Sequence, residues 1–492
     1  MSPTVRRVAR GVALAALLAT APAASAKDYA GTALNIIPSG QYGGFPVPAG
    51  ADTQAKMYDA LTPLFDNVTN ADLKRTFKSE RLGTKGQCSC TTEKVPRKGV
   101  KVVRDRFGVP HITGRTVDDV TWATGWVIAG DRGLLLEQAR YNSRVAAIDA
   151  PGLSAIGLVS SLRSFVPSAR TEREVAGQTR VLRAAGRKGR ALLHDIDVYV
   201  KGINAHLRAT KSSNKPWTRN DVYAVNALKG QFLGQGGGDE VRRSMFLAGL
   251  QQRLGASKGF SVFDDLRQRD PADHPTTIAG RFPYAQVPKS RAGNAVVDPG
   301  SYERWSYGGA AAAAAMRASD AVRKTYASNI LIVGGKRSAT GHPLFVGGPQ
   351  IGYFYPGLTL EMDLKGPGFA VRGATSAPFP GYMLIGRGED FAWTLTSAGA
   401  DIVDQYAETL CGDDTHYRYK GRCRAMDTFD AGVLKGSGGA PDQRIVFRRT
   451  VHGPVVGYAT VGGRRVAIAS KRSSYGATPS TSCRSRTSRA GA

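Results

Sequence analysis

Apolar residues change their spacing several times along the 492-residue chain. The first apolar block, "GVALAALLATAP", follows Arg6, Arg7 and Arg10 and precedes the small residues Ala24-Ser25-Ala26. That order predicts a secretory leader over residues 1–26, because the block is shorter than the ~20 residues a membrane span requires. Residues 27–95 are rich in Gly, Pro and Thr and show little periodicity, which predicts an irregular extension. With "KGVKVVRDRFGVPHITG" the pattern becomes strand, turn, strand. Thr116 and the two acids after it then open a mostly helical region, with "ALLHDIDVYVKGINAHL" as its clearest amphipathic helix. We take 96–287 as one mostly helical region. Between 288 and 327 the composition shifts to Ser, Gly, Ala and Arg, and "AAAAAMRASDAV" reads as a surface helix in a linker or in a segment destined for excision. From 328 to 475 short strand patterns follow one another, among them "SNILIVGG", "GHPLFVGGP", "LTLEMDL", "FAVRGAT", "YMLIGRG" and "FAWTLTS". Helices first and strands afterwards predict an α+β protein with helices packed on sheets.

Composition narrows the function classes. The formal charge is +28, from 67 basic and 39 acidic residues, and such an excess attracts anionic surfaces. The basic residues are scattered and no run is interleaved with aromatics, so nucleic acid is not an expected partner. A cationic module that binds cell-surface polymers stays open as an alternative. After the leader no segment is apolar enough to cross a bilayer, so the expected location is secreted, periplasmic or otherwise extracytoplasmic. Five cysteines are an odd number for an exported chain. Cys411 and Cys423 flank "GDDTHYRYKGR", which reads as a hairpin tip, and they are expected partners in an oxidising compartment. Cys88 and Cys90 have no nearby His, which favours a structural or incidental role over metal binding.

Candidate chemistry centres on "KTYASNILIVGG". The unbroken Ile-Leu-Ile-Val block bounded by Gly-Gly predicts a strand buried on both faces. Ser328 at its entrance is either a turn residue or a nucleophile held by a rigid scaffold. No Gly-x-Ser-x-Gly elbow stands near any Ser-rich strand turn. A serine hydroxyl needs a base, and a freed α-amine with a pKa of about 7.7–8.0 can supply one from the same residue.

Between roughly residues 100 and 475 stand, in this order, "DRFGVPHI", "GWVIAGDRGLLLEQAR", "SNILIVGGKRSATGHPLFVGGPQIGYFYPG", "PGYMLIGRGEDFAWTLTSAGADIVD" and "RTVHGPVV". Their order and spacing resemble the penicillin acylase family of N-terminal nucleophile hydrolases. The resemblance implies a four-layer αββα sandwich. It also implies a precursor that cuts itself between Ala327 and Ser328 into a small and a large subunit, with Ser328 as nucleophile. The backbone N–H of Ser397 would stabilise the oxyanion, and the Gln350 carbonyl would orient the amine, although Gln350 also reads as a turn residue after Gly-Gly-Pro. Glu240, Asp401, Val403 and Asp404 would hold a structural Ca²⁺, the other reading being a solvated acidic strand end. Ile351, Leu384 and Ile385 would line an acyl pocket, and core packing explains them equally well. No organic cofactor is implied. The expected substrate is a small-molecule acyl amide: an acylated β-lactam, an N-acyl homoserine lactone or an acylated peptide.

The resemblance stops before the family's pattern does. Family large subunits run on to supply an Asn side chain as second oxyanion donor, whereas nothing after "AIASKRSSYG" matches, and 476–492 form a polar low-complexity tail with Cys483. The second-chain portion of the sandwich is therefore expected to be incomplete. A truncated inactive fragment, a sequence error and one half of a split gene are the alternatives.

Overall fold

The computed structural model describes residues 67, 69–72, 81–85, 88–160, 163–266, 293–307, 327–350, 357–397, 399–436 and 438–475. The leader at 1–26, most of the 27–95 extension, Ile351 and the tail at 476–492 lie outside the described residues, as does much of the 288–327 stretch. The chain divides into two units. One comprises Met1–Thr91, Arg104–Val109 and Gly352–Leu358; the other comprises Thr92–Val103, Pro110–Ile351 and Thr359–Ala492. In the first unit the Asp105 carboxylate accepts the Phe107 and Val109 N–H groups at 2.9 and 3.0 Å and closes a turn. Cys88 and Cys90 form a disulfide there.

The second unit is mixed α and β. Thr116 caps the helix Val117–Asn142: its hydroxyl accepts the Asp119 N–H at 3.0 Å, while the Asp119 carboxylate accepts the Thr116 N–H at 3.1 Å. This helix crosses Gly186–Ala209 at close range. A Cβ on Gly125 would stand 2.1 Å from Tyr199 O, and one on Gly202 would stand 2.0 Å from Trp122 O, so any larger residue would push the helices apart. Their shared faces bury Val120, Trp122, Trp126, Leu192, Ile196 and Tyr199 against Met362, Leu364 and Val371 of the first sheet. Each such large side chain contributes about 1.5–3 kcal/mol when fully buried. Arg140 and Arg144 are buried and converge on Asp221, at 3.2 and 2.8 Å, and Arg144 also meets Glu172 at 2.8 Å. Mutual pairing is what makes charges tolerable at that depth.

Two large sheets follow. The first has seven strands in the order Thr91–Glu93, Val100–Arg104, Pro110–Gly114, Thr359–Gly366, Phe369–Ser376, Ile385–Arg387, Ala392–Trp393. The second runs Phe165–Pro167, Asp427–Leu434, Gln443–Thr450, Gly453–Val461, Arg464–Arg472, Ala400–Thr409, Gln235–Gly237. An eighth strand, Glu303–Arg304, pairs with Gly457 and Tyr458. Residues 293–307 of the stretch read as spacer are thus built into the sheet. Val297 is buried with Val241, Ala459 and Ile468, and the Asp298 carboxylate accepts the Thr460 hydroxyl at 2.6 Å and the Gly463 N–H at 2.8 Å. The hairpin His416–Tyr419 and Arg422–Ala425 is closed by a Cys411–Cys423 disulfide, the pairing expected from its position.

The "SNILIVGG" strand departs from expectation. Ala327–Val333 pairs only with Leu344–Gln350, as a separate two-stranded antiparallel hairpin. Its apolar residues are not buried on both faces: Leu331, Ile332 and Val346 are 68, 65 and 66 % exposed. Neighbouring residues on a strand point to opposite faces, so both faces of the hairpin are open to solvent. The physical reason is tertiary. A pattern records what a strand is suited to, and no further strand or helix layer lies over this one among the described residues.

Candidate active site

Ser328 lies at the open end of that hairpin and is half-buried. The antiparallel register sets Ala327 opposite Gln350 and Ser328 opposite Pro349. The backbone of Gln350 is therefore brought across from the Ala327–Ser328 link, and the strand runs unbroken through that link. Register does this directly. The short 3₁₀ turn Gly335–Arg337 and the tight Ser338–Gly341 turn return the chain so that seven residues pair with seven.

The second strand of the hairpin approaches the Ser397 segment. A Cβ on Gly347 would come within 2.9 Å of Thr394 Cγ2, so glycine is what admits the contact. Three residues on, Ser397 is exposed, and its hydroxyl accepts the Gly399 N–H at 3.4 Å. Ile385 sits one strand further in, paired with Ala374, and the Leu384 N–H donates to Ala374 O at 2.8 Å. Both side chains are half-buried. The strand Ile385–Arg387 pairs in turn with Ala392–Trp393, immediately before Thr394. The structure therefore brings Ala327, Ser328 and Gln350 together by register. It connects them through Gly347 and Thr394 to the chain segment that carries Ser397.

A second cluster forms where Gln235–Gly237 pairs in parallel with Ala400–Thr409. Carboxylate oxygens of Glu240, Asp401 and Asp404 all lie within 4.8 Å of one another. Three consecutive glycines allow this approach. A Cβ on Gly236 would stand 1.9 Å from Gly399 O, and one on Gly237 would stand 2.0 Å from Asp401 Oδ1. Gly237 also has φ of 79°, where a side chain is strained. The Gly238 N–H donates to Val403 O at 2.7 Å, so that carbonyl faces the glycine loop while the Val403 side chain is buried.

Like charges this close oppose one another. Burial, together with the Asp401 and Asp239 charges, pushes the Glu240 carboxyl above its usual range. Glu240 Oε2 is buried without a hydrogen-bond partner. Converging hard oxygens, one of them unsatisfied, are a donor set that fits a divalent cation of the Ca²⁺ type.

Sequence reasoning passed over Lys229. Its ammonium donates to Ser376 O at 3.3 Å and to Pro378 O at 3.1 Å, and lies 4.9 Å from the centre of the Phe379 ring. A single lysine within the apolar run "VYAVNALKGQFL" was the available signal. Among the described residues no helix is long and apolar enough to cross a membrane.

Comparison with known proteins bears on all of these residues. The family model for penicillin amidase matches residues 99–485. Penicillin G acylase of Escherichia coli is 23% identical over 402 residues, which is 73% of this chain and 45% of that protein. Penicillin acylase 2 proenzyme of a Pseudomonas species is 24% identical over 386 residues, 75% of this chain and 45% of that protein. Among solved structures, a thermostable penicillin G acylase from Alcaligenes faecalis, in orthorhombic form, is 29% identical. It covers 30% of this chain and 26% of that one, at a TM-score of 0.27. The chain spans less than half the length of the curated relatives it matches. A match that runs from the strand Val100–Arg104 through the Ser328 hairpin and the acidic cluster leaves one conclusion: the chain belongs to the penicillin amidase family.

Proposed function

We propose that this chain is the nucleophile-bearing part of an exported, self-processing amidohydrolase with the αββα N-terminal nucleophile hydrolase architecture. It cuts its own Ala327–Ser328 link and then cleaves a linear acyl amide. The substrate class is an acylated β-lactam, an N-acyl homoserine lactone or an acylated peptide. Family membership supports the reaction type. The observation that carries the assignment is the register that sets Ala327 opposite Gln350 and Ser328 opposite Pro349.

In this reading the cut frees the Ser328 α-amine, whose ordinary pKa of about 7.7–8.0 leaves a useful neutral fraction near pH 7. The amine takes the hydroxyl proton as the oxygen attacks the amide carbon. The backbone N–H of Ser397 stabilises the resulting oxyanion, a contribution of about 2.7–4 kcal/mol per donor. Collapse expels the substrate's amine, which takes the proton held by the Ser328 α-ammonium. A water that gives a proton to the same α-amine then attacks the ester and releases the acyl group as a carboxylic acid, with the proton returning to the Ser328 oxygen. Leu384 and Ile385 contact the acyl group. Glu240, Asp401 and Asp404, with the Val403 carbonyl, would hold Ca²⁺, which supplies charge neutralisation where the Gly236–Gly238 loop meets the strand Ala400–Thr409.

The exposed apolar hairpin favours a second reading of the isolated chain. The nucleophile is present, and its site stays open until further polypeptide covers it. Either way Ser328→Ala should abolish both chain cutting and acyl-amide hydrolysis, a loss of the order of 10⁶ where a serine nucleophile is removed. Unchanged hydrolysis by that variant of an acyl amide that the wild type cleaves would refute the assignment.

A further inference from the structure

The chain from Ser376 to Leu384 joins two strands of the seven-stranded sheet and ends at the two residues assigned to the acyl pocket. Its attachments are few and specific. The Thr375 hydroxyl donates to Tyr382 O at 2.7 Å, and the Tyr382 hydroxyl donates to the buried Asp195 carboxylate. Ala377, Tyr382 and Met383 are buried in the main core, and Phe379 packs against it. The carbonyls of Ser376 and Pro378 both turn toward the helix Arg219–Gly234, where Lys229 meets them.

We infer that Lys229 is a positioning residue: its amine ties the Ser376 and Pro378 carbonyls to the helix and so fixes the wall that ends at Leu384 and Ile385. This rests on the amidase reading only for what the wall contacts; the tether itself stands on the geometry. Two carbonyls and an aromatic face surround the amine. On its own helix the residues from Val225 to Gly234 carry no other charge. From the packed helix Gly186–Ala209 come Asp195, which is engaged by Tyr382, and the Tyr199 hydroxyl, which lies against the Phe379 backbone. On the strands leading in, Arg372 pairs with Glu361 at 2.8 Å.

Burial lowers the Lys229 pKa to about 7, whereas a lysine released into solvent titrates near 10.4. The closed wall therefore binds its proton less tightly than the opened one. By linkage, closing strengthens as pH rises above about 7, with the neutral amine still donating to both carbonyls.

Hydrogen exchange of the full chain, read at peptides covering 374–387 and corrected for intrinsic rate at each pH, tests this. Wild-type protection should rise between pH 7 and 9. Lys229→Met, close in size but without donors, should lower protection by at least about tenfold and remove the slope. Lys229→Arg, charged throughout this range, should show no slope. Equal protection in Lys229→Met and wild type at every pH would overturn the inference. Should the Met variant fail to fold, a wild-type slope in Lys229→Arg would overturn it instead. On any acyl amide that the wild type hydrolyses, Lys229→Met should raise KM with kcat retained. A wild type that hydrolyses none counts against the amidase reading, while the exchange result still decides the tether.

Discussion

On the proposal that the acidic cluster holds Ca²⁺, Glu240 should cost stability without the ion and supply it with the ion. Its carboxyl is partly buried beside Asp401 and Asp404, with one oxygen unpartnered. Without a cation, Glu240→Gln should raise the melting temperature in EDTA, because it removes both the repulsion and the burial of a charge. With Ca²⁺ the order should reverse. A site filled at 100 times its Kd gains about 2.7 kcal/mol in the wild type, and Glu240→Gln should lose most of that gain. Melting curves of both forms with EDTA and with Ca²⁺ check the prediction, and parallel responses would remove the cation from the account. These acids were legible because the Gly-Gly-Gly-Asp-Glu and Asp-x-Val-Asp patterns are local. The role of Lys229 was not legible: a lone lysine in an apolar run hints at burial, but the carbonyls it meets belong to a segment some 150 residues away.

At the scale of elements, local signals predicted which segments form and failed to predict what covers them. Thr116 marked its helix start, the strands "LTLEMDL" and "FAVRGAT" appear as Thr359–Gly366 and Phe369–Ser376, and the Cys411–Cys423 hairpin closes as expected. The "FAWTLTS" pattern yields only the short strand Ala392–Trp393. The Ser328 hairpin is the instructive case, because its apolar run suits a doubly covered strand and yet stands exposed on both faces. Unpaired strand edges and contiguous apolar surface promote association. The isolated chain should therefore bind a hydrophobic dye and self-associate. The double substitution Leu331→Lys with Val346→Lys should reduce both effects at least severalfold without loss of helix content. Sedimentation and dye fluorescence of the two forms measure this; a monomeric wild type that binds no dye would mean the hairpin is covered in solution.

For the whole molecule, the sequence order of helices then strands agrees with a mixed α and β body in which two helices cross over one sheet and a second large sheet carries the acidic cluster. The piece at 293–307, read as spacer from its Ser, Gly and Ala content, is held by Val297, Asp298 and the Glu303–Arg304 strand. Composition could not reveal that, since the anchoring is made of contacts to strands some 150 residues further on, among them those of Tyr302 and Trp305 with Val456 O. The family assignment rests on residues 99–485, while the catalytic proposal rests on one peptide link. Intact mass and N-terminal sequencing of the purified full chain address that link directly. The account predicts two fragments, one of them beginning Ser-Asn-Ile-Leu at position 328, and a single uncut chain from Ser328→Ala. Acyl-amide hydrolysis by wild-type protein whose Ala327–Ser328 bond is still intact would contradict it.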